Sequence, residues 1–134
     1  MDFTGVKELE NISVQNMSGG QRQRVLLAKV LAQQTPFIFL DEPTANLDLV
    51  YQEEIFRFCQ IVCQQGKTVL ILAHDLKLAA KFCSRLILLS DGMIIADGLP
   101  ENVVTVKNLQ NAYGLHAAVF TNKVTGNLDI HTFS

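Results

Sequence analysis

The sequence predicts an α/β fold: a parallel sheet with flanking helices, finished by a small antiparallel C-terminal hairpin. Three observations carry that prediction. Residues 37–40 (Phe-Ile-Phe-Leu) and 68–73 are short runs apolar on both faces, the pattern of strands in a parallel sheet. Stretches of helical periodicity precede and separate them, so right-handed crossovers can join them. The composition agrees: 134 residues, 49% hydrophobic and 18% charged, suit one modest core or part of a larger one and not a disordered tail.

The elements follow in order. Residues 1–16 are polar and mixed, with the tail of a helix around 6–9 and then a loop. Ser18 is a good N-cap, and Gln21 stands three residues on, the spacing of a capping box. Leu27, Val30 and Leu31 continue a helix until Thr35-Pro36 stops it. After the strand at 37–40, residues 43–46 form a loop, and Asp48 is placed to cap a helix with the stripe Ile55, Phe58, Cys59 and Val62, closed by Gly66. Strand 68–73, a short helix over 75–83 and a third strand over 85–89 come next. Asp91-Gly92 turns the third strand into 93–96, with Asp97-Gly98 closing the hairpin. Residues 100–113 read as one helix, and 118–121 with 128–132 as a last hairpin around Thr125-Gly126-Asn127. The order strand, helix, strand, helix, strand implies a parallel sheet with an antiparallel edge.

Bulk properties narrow the function. A net charge of −2 gives no electrostatic footprint for nucleic acid. Cys59, Cys63 and Cys83 form an odd set without a Cys-x-x-Cys pair, which reads as reduced thiols. Cys59 and Cys63 are four residues apart and can share a helix face as metal ligands or simply as small packed residues. No apolar run approaches the ~18 residues of a spanning helix and no secretory leader opens the chain, so a soluble protein is expected.

The chemistry sits in three places. A strand ending in Asp41-Glu42 delivers two carboxylates to the carboxyl edge of the sheet, where α/β folds bind ligands. One can hold Mg2+ while the other faces a water, the division that phosphoryl transfer needs. Ser18-Gly19-Gly20-Gln21 opens a helix with little side-chain bulk, so amides and dipole can receive an anion. His74 follows the second strand on the same edge and can donate to a terminal phosphate. Each alone has an ordinary structural explanation: a solvated turn or cap for the acids, a plain cap for the glycines, a satisfied strand-end histidine. Together they require those explanations to coincide. Gly66-Lys67-Thr68 is a decoy: Ile61 stands where a phosphate loop needs its first glycine, and the tripeptide lies between helix and strand instead of strand and helix.

With those residues in view, the chain resembles the C-terminal half of an ABC transporter ATPase subunit, from about residue 4 to the end. Met17-Ser18-Gly19-Gly20-Gln21-Arg22-Gln23-Arg24 resembles the signature motif, with Met for the usual Leu. Residues 37–41 resemble the Walker B strand, Glu42 the catalytic glutamate, Ala45-Asn46-Leu47-Asp48 the D-loop, and His74 in Leu72-Ala73-His74-Asp75 the switch histidine. The tail, Asp91-Gly92-Met93-Ile94-Ile95-Ala96-Asp97-Gly98 and then 109–114, is similar to the iron-siderophore, haem and cobalamin importer branch.

The resemblance implies the C-terminal part of a P-loop NTPase (RecA-like) sheet. Residues 1–35 would end the helical subdomain, 36–98 would form the Walker B, D-loop and switch core, and 99–134 the C-terminal helix and hairpin. It implies ATP as substrate, Mg2+ held by Asp41, water polarised by Glu42, and γ-phosphate contacted by His74. Ser18, Gly19, Gly20 and Gln21 would serve ATP bound to a second ATPase subunit in a head-to-tail dimer bridged by Asp48. Transmembrane permease subunits are the implied partners, at the cytoplasmic face of the cell membrane.

One departure is large. No Gly-x-x-x-x-Gly-Lys-Ser/Thr loop occurs in the 134 residues. The strand that bears it in the family is expected beside 37–40, whose edge is then open to association. The chain alone is expected to bind ATP weakly and hydrolyse little, with a separate N-terminal half as a candidate complement. The competing reading is a non-catalytic interaction or regulatory module. A Mg2+-dependent phosphatase of another fold would need its own phosphate cradle, and none is found.

Overall fold

The computed structural model describes residue 10, residues 13–16 and residues 18–133. The helix expected around 6–9 lies outside them. By their contacts the residues form two compact units, Met1–His74 and Asp75–Ser134.

In the first unit a 3-10 turn, Val14–Asn16, precedes α1, Gly19–Ala32. Then come β1 (Phe37–Asp41), α2 (Leu49–Gln64) and β2 (Thr68–Leu72). β1 and β2 pair in parallel, Phe37 opposite Thr68 through to Asp41 opposite Leu72, so alternate residues of both strands share a face. Ile38, Leu40, Val69 and Ile71 turn to the helices, where Leu27 of α1 and Ile55, Cys59 and Val62 of α2 complete a core. The α2 stripe is mostly as expected. Phe58 sits at the rim of that core, and Phe56, outside the stripe, is fully buried. Gly66, with φ +91°, ends α2 as a left-handed C′ residue.

The expectation that both strands are covered on both faces is corrected. Phe37 is 54% exposed and Phe39 57%, and their neighbours Leu70 and Leu72 are 43% and 42% exposed. Helices cover one face and leave an apolar face open. Among the described residues β1 and β2 bond only each other. Beside 37–40 no further strand is paired among the described residues, as expected.

The second unit begins with α3, Leu76–Phe82, capped by the Asp75 carboxylate accepting from the Leu78 amide at 3.0 Å. β3 (Leu86–Ser90) and β4 (Met93–Gly98) form an antiparallel hairpin. Asp91 and Gly92 both have positive φ, +50° and +75°, the signature of a type I′ turn. β3 was expected as a third parallel strand; instead its described partner is β4 alone. A two-residue turn closes that pairing at small entropic cost, whereas a parallel neighbour requires a distant segment.

The single helix expected over 100–113 is two: α4, Pro100–Val103, and α5, Val106–Tyr113. Thr105 interrupts them because its hydroxyl caps α5, accepting from the Asn108 amide at 3.1 Å. β5 (His116–Thr121) and β6 (Leu128–Phe133) close the unit as the expected hairpin, slightly longer than the sequence pattern indicated. Leu109, Val104 and Ala117 form its core with Leu86, Val119, Leu128 and Ile130 around them. Two exposed ion pairs decorate it. Arg85 forks onto Asp97 at 2.7 and 2.8 Å, and Lys77 meets Asp129 at 2.9 Å. The hydrogen bond from Arg85 holds the Asp97 carboxyl below the usual carboxylate range, and that from Lys77 does the same for Asp129.

Candidate active site

β1 delivers its last residue, Asp41, to the carboxyl edge with an exposed side chain opposite Leu72. The strand pairing runs one bond further: the Glu42 amide donates to the Leu72 carbonyl at 2.9 Å. Continued alternation would send the Glu42 side chain to the helix-covered face of Ile38 and Leu40. Instead Glu42 adopts φ +46°, a left-handed conformation that costs a non-glycine residue about 1–2 kcal/mol. The carboxylate leaves the alternation and meets His74, which follows β2. His74 Nε2 and Glu42 Oε1 are hydrogen-bonded across 32 residues of chain. Both remain reachable by solvent, their side chains 85% and 42% exposed for His74 and Glu42. With its proton on Nε2 the imidazole donates to the carboxylate. Such a pair can orient a water at the second carboxylate oxygen, and the Nε2–H can serve an anion only by leaving Glu42.

At the start of α1 the capping box forms as the spacing predicts. Ser18 Oγ accepts from the Gln21 amide at 3.2 Å, and Gln21 Oε1 accepts from the Ser18 amide at 2.9 Å. The box occupies the Gln21 carboxamide oxygen, while the Gly19 and Gly20 amides belong to the first turn, which has no helical carbonyl ahead of it. Gly19 is exposed and Gly20 is buried. Met17 of the signature lies outside the described residues.

The loop after Glu42 is a tight one. The Ala45 amide donates to the Glu42 carbonyl at 3.1 Å and the Leu47 amide to the Thr44 carbonyl at 3.3 Å. Asn46 is left-handed at φ +61°, which its short amide side chain tolerates. Asp48 holds the N-cap position of α2, but its side chain makes no capping bond, contrary to the sequence expectation. Gln52 secures the loop instead: its Nε2 donates to the Leu47 carbonyl at 3.0 Å and approaches the Thr44 carbonyl at 3.4 Å. Sequence reasoning passed over Gln52 and its neighbour Tyr51, because a polar and an aromatic residue early in a helix carry no distinguishing pattern. The decoy Lys67 is spent on structure, its Nζ bonding the Thr35 carbonyl at 2.8 Å.

The structure thus brings Glu42 and His74 together next to Asp41. It sets Gly19 and Gly20 against the loop and first turn that carry Asp48, Gly19 beside Leu47 and Gly20 beside Tyr51, while Ser18 and Gln21 bond each other. No described group of three or more His, Cys, Asp or Glu side chains forms a metal cluster. Cys59 is buried, Cys63 exposed and Cys83 half-buried, all as free thiols.

A helix-backed parallel strand pair, acids at its carboxyl edge and a glycine-opened helix make a mixed α/β protein whose solved structural neighbours are ATP-binding cassettes of the P-loop fold. A solved ABC transporter of the metal-chelate type, in an inward-facing conformation, matches 99% of the chain and 54% of its own, with TM-score 0.88 and 25% identity. The family model described as ABC transporter matches residues 1–45. The hemin import ATP-binding protein HmuV of Rhodococcus jostii is 44% identical over 110 residues, covering 82% of this chain and 38% of the relative. The ferric enterobactin transport ATP-binding protein FepC of Escherichia coli is 39% identical over 127 residues, covering 94% and 47%. The chain belongs to the ABC transporter family of ATP-binding subunits and spans less than half the length of these two relatives.

Proposed function

We propose that these residues form the second half of the ATP-driven motor of an importer for a chelated metal: haem, an iron–siderophore or cobalamin. One observation carries the reading. Glu42 and His74 meet at the strand edge, an arrangement suited to activating water beside a phosphate and of no use to a docking module. In this reading Glu42 orients the attacking water and takes its proton as the γ-phosphoryl group leaves ADP, while His74 turns its Nε2–H from Glu42 to a γ-phosphate oxygen. Asp41 would hold Mg2+. One exposed carboxylate fits that cation, which keeps several waters and takes one or two carboxylates with substrate phosphates. When bound, Mg2+ offsets the charge on the phosphate oxygens.

Ser18, Gly19, Gly20 and Gln21 would offer first-turn amides and side-chain atoms to ATP held by a second ATPase subunit, arranged head to tail, with Asp48 bridging the two. The phosphate loop would come from an N-terminal half, on the same polypeptide or another. Residues 1–35 would then end the helical subdomain, 36–98 form the catalytic core and 99–134 the C-terminal helix and hairpin. Permease subunits at the cytoplasmic face of the membrane would receive the motion of dimer closure. The names of the haem and enterobactin relatives support the cargo class. Among the described residues no helix is long and apolar enough to cross a membrane.

The test is ATP turnover by the 134-residue chain mixed with the N-terminal half of an HmuV-type subunit. Magnesium-dependent turnover is expected with both halves and little with either alone. Glu42→Gln is expected to lower kcat about 100-fold or more. Steady turnover by the chain alone, or turnover indifferent to Glu42→Gln, overturns the reading. A complemented pair that assembles without hydrolysing ATP makes the chain a docking module.

A further inference from the structure

We propose that Tyr51 and Gln52 are positioning residues that couple the glycine turn of α1 to the Glu42 loop within one chain. The catalytic meaning of this coupling rests on the ATPase reading above; the coupling itself rests on packing and hydrogen bonds.

The first link is steric. Gly20 is buried, and a Cβ added there would lie 3.0, 3.1 and 3.2 Å from Cδ1, Cγ and Cε1 of Tyr51. At these distances the ring must give by a few tenths of an ångström, and Cγ, at its root, moves only with χ1 or with α2 itself. A Cβ on Gly19 would be 3.5 Å from Leu47 Cδ2, ordinary contact distance. The glycine turn therefore lies on two side chains, Leu47 and Tyr51, that belong to the loop and the helix start beyond Glu42.

The second link is polar. Gln52 is fixed to the first turn of α2 by its own amide, which donates to the Asp48 carbonyl at 3.0 Å. Its side chain reaches back to the Leu47 and Thr44 carbonyls. From there the Leu47 and Ala45 amides close onto Thr44 and Glu42. The loop carries two left-handed non-glycine residues, Glu42 and Asn46, each unfavourable by about a kcal/mol or more and persisting only where surrounding bonds over-determine it. Displacing the glycine turn would push the Tyr51 ring, shift the adjacent Gln52 amide, and loosen the frame that holds Glu42 out of strand alternation.

Amide hydrogen exchange on the 134-residue chain, without nucleotide, tests this. Gln52→Met keeps the length of the side chain and removes its donor; Ala45 and Leu47 amides are expected to exchange about fivefold faster, with the β1–β2 amides unchanged. Gly20→Ala is expected to speed the same two amides in the presence of the Tyr51 ring and to have no such effect in a Tyr51→Ala background. Equal acceleration with and without the ring, or none in either, overturns the coupling. If Gly20→Ala does not fold, Tyr51→Leu poses the question from the other side: faster exchange is expected at Arg22 and at Ala45 together, and a change confined to one of them overturns it. In the complemented ATPase, Gln52→Met is expected to lower kcat with KM for ATP unchanged, and a rise in KM alone would overturn the positioning role. Because exchange is measured without ATP, a failure of the ATPase reading leaves its outcome untouched, and the two failures stay distinguishable.

Discussion

The two units of the chain solve the problem of sheet formation differently. In Met1–His74 the strands pair in parallel, joined through the 16-residue helix α2, and all candidate site residues fall in this unit. Its sheet has an apolar face turned to solvent, and its defining contact, Glu42 to His74, spans 32 residues. In Asp75–Ser134 the strands pair as hairpins, with turn residues in the left-handed conformations such turns demand. In the second unit local turn chemistry closes each strand pair, and a core running from Leu86 to Ile130 then packs them. The first depends on long-range closure, and pays a backbone cost at Glu42 to place one carboxylate. Chemistry requires groups from distant segments at one point, so the region under less local control is the one that carries the site.

Core truncation should divide the two regions most sharply. Ile55→Ala and Leu109→Ala each remove a nearly fully buried side chain, at an expected cost of about 2–5 kcal/mol. Hydrogen exchange should show β1–β2 amides losing protection in the first variant and β5–β6 amides in the second. Equal loss in both sheets would mean that the two regions unfold together and the contrast is not energetic.

Gly92→Ala tests how far turn chemistry governs the second unit. At φ +75° a Cβ costs about 1–2 kcal/mol, read as a lower midpoint of thermal or urea unfolding; an unchanged midpoint would show that β3–β4 does not depend on its turn. Phe39→Lys probes the open face of the first unit. Its stability change should stay within about 0.5 kcal/mol, as for other exposed positions, while light scattering should show less self-association. A large loss of stability would mean that the face is not open in solution.

The smallest effect concerns acid. The hydrogen bonds from Arg85 and Lys77 hold the Asp97 and Asp129 carboxyls below the usual carboxylate range, so the unfolded state binds protons first and the pairs stabilise the fold above that range. The contribution fades as pH falls through the lowered folded values. Both groups are exposed, so Asp97→Asn with Asp129→Asn should only slightly flatten the acid limb of an unfolding curve, and less still in high salt.

Much of this was legible in advance. The capping box at Ser18 and Gln21, the strand at 37–40, the Asp91-Gly92 turn and the last hairpin all depend on residues within a few positions of one another. Chain order also placed Asp41, Glu42 and His74 on one edge, since strands that run in parallel end on the same side. Where expectation failed, the cause was environment. Runs such as Phe37 to Leu40 show hydrophobicity but not which face is covered, and the break at Thr105 turned on a hydroxyl accepting one amide.

The chain by itself determined the local elements, their order and the family to which they belong, because caps, turns and periodicity act through near neighbours along the backbone. Only the tertiary structure decided that Asp48 leaves its helix uncapped, that Gln52 holds the loop in its place, and that Tyr51 fills the space of an absent side chain at Gly20. Those outcomes come from atoms distant in the chain competing for the same donors and the same volume, a competition settled only when the segments are packed together.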